Sequence, residues 1–82
     1  MGRIDPHSVS IGNAVRAAIA QADLTQAEVA GRTDMAVNTL SRRINGLLPF
    51  TWPELNRIAK ATGLTIGELV EMAERIARRD VA

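Results

Sequence analysis

The 82-residue chain has no cysteine and no tyrosine, and it contains one phenylalanine, one tryptophan and one histidine. Without cysteine there is neither a disulfide nor a thiolate metal site, and a reducing, cytoplasmic location is expected. Because 46% of the residues are hydrophobic but so few are aromatic, Ala, Leu, Ile and Val must fill the interior, which favours an all-α fold. No apolar run approaches the roughly 18 residues that span a bilayer, so no membrane partner is expected.

A large excess of charge of one sign is also missing, because the net charge is only +1. The basic residues nevertheless concentrate in the middle of the chain. Residues 32–60 contain five Lys or Arg and two Asp or Glu, a net charge of +3, whereas residues 1–31 and 61–82 each carry −1. The total charge argues weakly against a nucleic-acid partner, but its distribution places positive charge where phosphates could be met.

A chain of this length builds one domain with a modest core. Residues 1–7 show no periodicity and contain Pro6, so they are interpreted as a flexible arm or vector-derived residue, followed by a domain over 8–79 and a tail over 80–82. Apolar spacing predicts five helices and no strand, at about 9–22, 26–33, 37–45, 52–62 and 66–79.

Three helix starts carry the same signature, a Thr followed three residues later by a Glu. Each pair predicts a capping box, in which the hydroxyl and the carboxylate satisfy backbone N–H groups at the helix start. The three pairs are Thr25 with Glu28, Thr51 with Glu54, and Thr65 with Glu68. Gly46 and Gly63 stand where a left-handed residue would end a helix.

The segment between the second and third predicted helices is expected to be a tight turn with Asp34 in the left-handed region, which Asp tolerates. Ala36 is a poor N-cap, so either Asp34 caps the third helix earlier or that helix begins without a side-chain cap.

The first helix should turn one apolar stripe inward, formed by Ile11, Val15, Ala18, Ile19 and Ala22. The remaining core is expected from Val29, Ala30, Met35, Leu40, Ile44, Leu47, Leu55, Ile58, Ala59, Leu64, Ile66, Leu69 and Val70.

Residues 26–46 thus form two short amphipathic helices joined by a tight turn, and the second presents polar and basic residues. This layout suits insertion into the major groove of DNA. From Ile11 to Val70 the chain resembles the Cro/lambda-repressor-like helix-turn-helix family, also called the xenobiotic-response-element family. The resemblance rests on Gln26, Ala30, Met35, Leu40, Ser41, Gly46, Ala59, Gly63 and Leu64, and on Ser41-Arg42-Arg43-Ile44-Asn45-Gly46 followed by Pro49-Phe50-Thr51 and Glu54-Leu55, which are similar to actinobacterial and actinophage regulators. Asp34 and Ala36 depart from the family's usual Gly and capping Ser or Thr.

The resemblance implies a compact five-helix DNA-binding domain whose helix 37–45 reads bases. Its base-reading positions match Val37, Asn38, Thr39 and Arg42; Asn suits adenine N6 and N7, Val suits a thymine methyl, and Arg suits guanine O6 and N7. Val37 could equally pack at the edge of the core. Thr39 and Arg42 could instead lie on a solvated face.

The phosphate-contacting positions implied by the resemblance match Gln26, Arg43, Asn45 and Trp52, which would set register without reading sequence. Gln26 could also be a solvated residue after a helix cap, and Trp52 is expected rather to pack under the loop.

These features imply a transcriptional regulator that binds a double-stranded DNA operator, a repressor of the phage-immunity kind. The apolar stripe of helix 66–79 outlasts what the domain needs beyond Val70, so it supplies a homodimer contact, leads into another domain, or frays. A second hypothesis is a protein-interaction module of the same fold, such as an antitoxin or adaptor, which the low net charge favours. No enzymatic activity, cofactor, metal or small-molecule substrate is expected, because no phosphate loop, His or Cys cluster or polarised carboxylate pair is present.

Overall fold

The computed structural model describes residues 6–81 and contains five helices and no strand within them. The helices are α1 (Pro6–Gln21), α2 (Gln26–Arg32), α3 (Val37–Ile44), α4 (Trp52–Ala61) and α5 (Ile66–Val81). The predicted all-α fold and the number of helices are confirmed. Helix α1 begins at Pro6, where proline suits a first turn, so Pro6 and His7 are helical; residues 1–5 and 82 of the predicted arm and tail lie outside the described residues.

All three predicted capping boxes are present. At α2 the Thr25 N–H donates to Glu28 Oε1 at 2.9 Å and the Glu28 N–H donates to Thr25 Oγ1 at 3.1 Å. The same reciprocal pairs form at α4 and α5, with 2.8 and 3.3 Å at Thr51–Glu54 and 2.9 and 3.1 Å at Thr65–Glu68. The starts of three helices are therefore fixed by residues three apart in sequence.

Left-handed residues end the helices, as the sequence indicates. Gly46 and Gly63 have φ of 79° and 80°, and Asp34 has φ of 57°, which confirms the predicted turn between α2 and α3. Asp23 adopts the same conformation after α1, with φ of 59°. Ala36 is the N-cap of α3 and makes no side-chain capping bond, so of the two open alternatives the helix begins without one.

The core lies between all five helices and is made almost wholly of aliphatic side chains. Its buried members are Ala14, Val15, Ala18, Ile19, Val29, Ala30, Leu40, Ile44, Leu55, Ile58, Ala59, Leu69 and Ala73. Leu47 was expected there but is 60% exposed, because the left-handed Gly46 ends α3 and turns the chain outward just before it. Thr33 is a buried polar residue, and its hydroxyl donates to the Val29 carbonyl at 2.7 Å.

Helices α1 and α5 are the longest, and they pack along each other. Ala73 of α5 is a buried member of the core. Met72 and Ile76, on the same helix, pack against the core but remain partly exposed. Helix α1 therefore covers part of the α5 stripe beyond Val70, and the predicted contact between copies through the rest of the stripe stays a prediction. Within residues 6–81, no helix combines the length and apolar character that crossing a membrane requires.

The C-terminal end of α3 lies directly on α1 at Gly12, which is buried. A Cβ atom built on Gly12 would stand 2.0 Å from the Ile44 carbonyl oxygen and 2.8 Å from its carbonyl carbon. No side chain fits in that space. Because glycine has no Cβ atom, the backbones of α1 and α3 can approach this closely. This contact fixes where the end of α3 sits.

Candidate nucleic-acid interface

Helix α3 divides cleanly into an inward and an outward face. Leu40 and Ile44, four residues apart, are almost completely buried. Asn38 and Arg42, also four apart, are exposed. Because residues four apart lie on one face of a helix, the polar pair forms a single outward surface carried by a rigidly packed helix.

The side chains of Asn38 and Arg42 make no hydrogen bond or ion pair with any other described residue. Their donor and acceptor groups are therefore available to a ligand. An amide can bond the N6 and N7 edge of adenine in a bidentate manner, and a guanidinium can do the same with O6 and N7 of guanine. The predicted base-reading pair thus has the required exposure and freedom.

The other two predicted base-reading residues differ in exposure. Val37, at the first position of α3, is 46% exposed, so it is not a residue of the core. Thr39 is half-buried beside the fully buried Leu40. Val37 therefore extends the outward surface with an apolar group, whereas Thr39 lies at its margin.

Gln26 opens α2, directly after the Thr25 cap, and is half-buried. Its side chain makes no hydrogen bond with another described residue. In the same turn, the pKa of Glu28 is lowered below its ordinary value of 4.5. The largest cause is the hydrogen bond from the backbone N–H of Thr25; the hydrogen bond with the Thr25 hydroxyl and the positive charge of Arg32 lower the pKa further. This carboxylate remains charged and keeps the cap formed at neutral pH.

Arg43 follows Arg42 in sequence but is held inside the protein. Its guanidinium donates to the Pro49 carbonyl and pairs with Glu54 Oε2 at 3.4 Å, and its side chain is only 19% exposed. Its Nε is buried without a partner among the described residues. These contacts tie the end of α3 to the loop before α4, so the predicted phosphate contact of Arg43 stays a prediction while its position indicates a structural role.

The loop after α3 and the first residue of α4 present three large apolar side chains to solvent. Leu47, Leu48 and Trp52 are 60%, 40% and 65% exposed. Trp52 therefore does not pack under the loop, which was the favoured alternative for it. Its position at the start of α4 leaves the predicted phosphate contact as a prediction.

Comparison with known proteins shows which protein family the chain belongs to. Residues 15–74 match the family model of the Cro/C1-type HTH DNA-binding domain, which is more than half of the chain. The chain belongs to this family. The Cro/C1-type domain is also similar in structure to the clp gene regulator ClgR from Corynebacterium glutamicum, with a TM-score of 0.90 and 18% identity over 96% of this chain and 84% of that one. At this identity the likeness shows the fold. A comparison with curated proteins found no match.

In this Cro/C1-type domain, α2 and α3 form the helix-turn-helix, and one contact beside it escaped the sequence analysis. Arg16 of α1 donates to Asn13 Oδ1 at 2.7 Å and to Asn45 Oδ1 at 2.8 Å. Asn45 is thereby linked to a residue 29 positions away. A signal was present, since Arg16 is the one formally charged residue in the α1 segment Pro6–Gln21 with His neutral, but its partner lies beyond local spacing.

Proposed function

We propose that this DNA-binding domain belongs to a sequence-specific transcriptional repressor of the phage-immunity kind, which reads its operator by placing α3 in the major groove. The carrying observation is that Asn38 and Arg42 form an exposed, unpartnered pair on one face of α3. Val37 adds an apolar group suited to a thymine methyl, and Thr39 borders the surface. Specificity then resides in a two-residue polar surface with an apolar edge.

Phosphate contacts set the register of α3 in the groove without reading sequence. Gln26 contacts a phosphate at the start of α2, and Asn45 contacts another at the end of α3. The start of α4 beside Trp52 adds backbone N–H groups, which favour anions. Arg43 contributes by fixing the loop through Glu54, and its own contact with a phosphate requires release from that pair.

The proposed regulator binds as a dimer to a partly palindromic site. The domain measures 33 × 29 × 20 Å, so one domain occupies about one turn of DNA, and half-sites about 34–36 Å apart would accommodate two. The partly exposed edges of Met72 and Ile76 on α5 are the proposed contact between copies. Occupation of a promoter by the dimer blocks transcription, and the regulator accordingly works in the cytoplasm on the chromosome.

The decisive experiment is selection of bound duplexes from a random pool at moderate salt. We expect enrichment of a motif with two related halves spaced by one turn of the helix. Asn38→Ala and Arg42→Ala should each relax one position of the motif. Arg57→Ala, which removes an exposed charge from α4, should lower affinity and leave the motif intact. Failure of any motif to emerge with the wild-type chain would contradict sequence-specific binding.

A protein-interaction module is the second candidate. It is favoured by three large exposed apolar side chains within six residues of the chain, Leu47, Leu48 and Trp52, because contiguous apolar surface often marks a site for a protein partner. Salt separates the two functions. Binding to DNA phosphates makes the logarithm of affinity fall by roughly 0.9 per contact for each unit in the logarithm of salt concentration. An affinity for a captured protein that is nearly independent of salt, together with no binding to duplex DNA, would favour the second candidate.

A further inference from the structure

The end of α3 faces an electrostatic problem if it lies near a phosphate. The last carbonyl groups of a helix carry partial negative charge, which repels anions. A cation that neutralises this end would favour the approach of a phosphate to Asn45, the residue that follows α3. Three arginines lie near the end of α3: Arg42 and Arg43 in its last turn, and Arg16 on α1. The proposed role of Arg42 is to read a base, which leaves Arg43 and Arg16 to be weighed for a phosphate.

Arg43 cannot supply that charge, because Glu54 already neutralises it and its side chain is largely buried. Arg16 is in the opposite situation. Its two hydrogen-bond partners, Asn13 and Asn45, are neutral amides, and no acidic side chain pairs with it among the described residues. It is also exposed, so its positive charge is directed to solvent beside the C-terminal end of α3.

The bond to Arg16 also fixes which atom Asn45 offers outward. A guanidinium has only donors, so the amide atom facing it must be the oxygen. The Nδ2 amino group of Asn45 makes no other hydrogen bond among the described residues and remains able to donate. Arg16 therefore adds a positive charge and sets the orientation of a neighbouring donor, and both features suit an anion.

Gly12 makes this arrangement possible. It lies one helical turn before Arg16, and its close contact with the Ile44 carbonyl brings α1 against the end of α3. Because Asn45 directly follows Ile44, the approach at Gly12 places Arg16 next to the Asn45 side chain. The arrangement is thus built into the packing of the domain.

We propose that Arg16 and Asn45 form a phosphate-binding site at the junction of α1 and α3, which holds a backbone phosphate of duplex DNA beside the end of the reading helix. The proposal rests on the proposed function. The Arg16 guanidinium binds the phosphate directly, and Asn45 Nδ2 donates a second hydrogen bond. The contact fixes the position of α3 and contributes equally on every sequence.

The test measures duplex affinity by fluorescence anisotropy over a range of salt concentrations, with a selected duplex and an unrelated duplex. Arg16→Gln should weaken both complexes roughly tenfold and reduce the salt slope by about 0.9. Arg16→Lys should retain the slope, because it keeps the charge. Asn45→Asp should resemble Arg16→Gln, since its carboxylate neutralises Arg16 and repels the phosphate. The control Arg75→Gln removes one charge from α5, where Arg75 pairs with Glu71, and should leave the slope unchanged.

The outcomes separate this proposal from the function on which it rests. A steep wild-type slope that Arg16→Gln leaves intact would overturn the phosphate site alone. A loss on the selected duplex only would also overturn it, since that pattern indicates base reading. A wild-type chain that does not bind duplex DNA would overturn both proposals.

Discussion

Replacing Gly12 with alanine tests whether the close approach of α1 and α3 is as tight as the structure shows. The added Cβ would lie 2.0 Å from the Ile44 carbonyl oxygen and 3.2 Å from that of Arg43. Both obstructing atoms belong to the backbone, so no side-chain rotation relieves the overlap. The two helices must move apart by more than 1 Å to reach ordinary contact.

The expected cost combines two opposing terms. Overpacking a well-filled interior costs typically about 1–3 kcal/mol, and a backbone obstacle places Gly12→Ala at the upper end. Alanine returns about 0.5–1 kcal/mol, because glycine is unfavourable within a helix. The net loss in the free energy of unfolding is therefore about 2 kcal/mol, or about 8–16 °C in melting temperature for a domain of this size.

Thermal and urea unfolding, followed by circular dichroism, measure this loss. The matched control is Gly31→Ala on α2, where a Cβ would meet nothing within 4 Å, so only the gain in helix propensity remains. Equal stabilities for Gly12→Ala and the wild type, or an equal loss in the control, would refute the argument. We also expect Gly12→Ala to weaken DNA binding, because the Arg16–Asn45 contact depends on the same approach.

Three further predictions address reading, pH and assembly. Arg42→Ala should cost about 1–3 kcal/mol on the preferred duplex and relax one base position, whereas Gln26→Ala should weaken all duplexes alike; equal losses everywhere for both variants would contradict this division. The stabilisation from Glu28 is present above its ordinary pKa of 4.5 and is lost as the pH falls through its lowered pKa, so the stability advantage of the wild type over Glu28→Gln should disappear in acid. An advantage that persists at the lowest pH would show that the charge of the carboxylate is unimportant. Sedimentation equilibrium should detect a dimer that Met72→Glu dissociates, and a strict monomer at high concentration would exclude the α5 contact.

The helix starts and turns could be predicted because their causes are local. Each capping box joins residues three apart, and the left-handed Asp34 and Gly46 follow from the conformations that single residue types tolerate. The buried face of α3 follows from helical period alone. For the same reason, the exposed pair Asn38 and Arg42 could be placed on one surface from their spacing.

The features that escaped prediction depend on where distant segments return. Leu47 and Trp52 have the composition of core residues, but the path of the loop after Gly46 leaves both exposed. The bond from Arg16 to Asn45 joins residues 29 apart, and no local pattern predicts it. The burial of Ala73 on α5 likewise depends on α1, which begins at Pro6 and packs along α5.

Arg42 and Arg43 are adjacent in sequence but have different surroundings in the structure. Adjacent helical residues point about 100° apart, and here that angle separates an unpartnered solvent-facing guanidinium from one bound to Glu54 and the Pro49 carbonyl. An eight-residue helix is too short to be stable alone, so α3 depends on such contacts and on Gly12 for its position. The orientation of the reading surface is therefore set by α1 and by the loop before α4, and substitutions there should alter DNA affinity without touching a base.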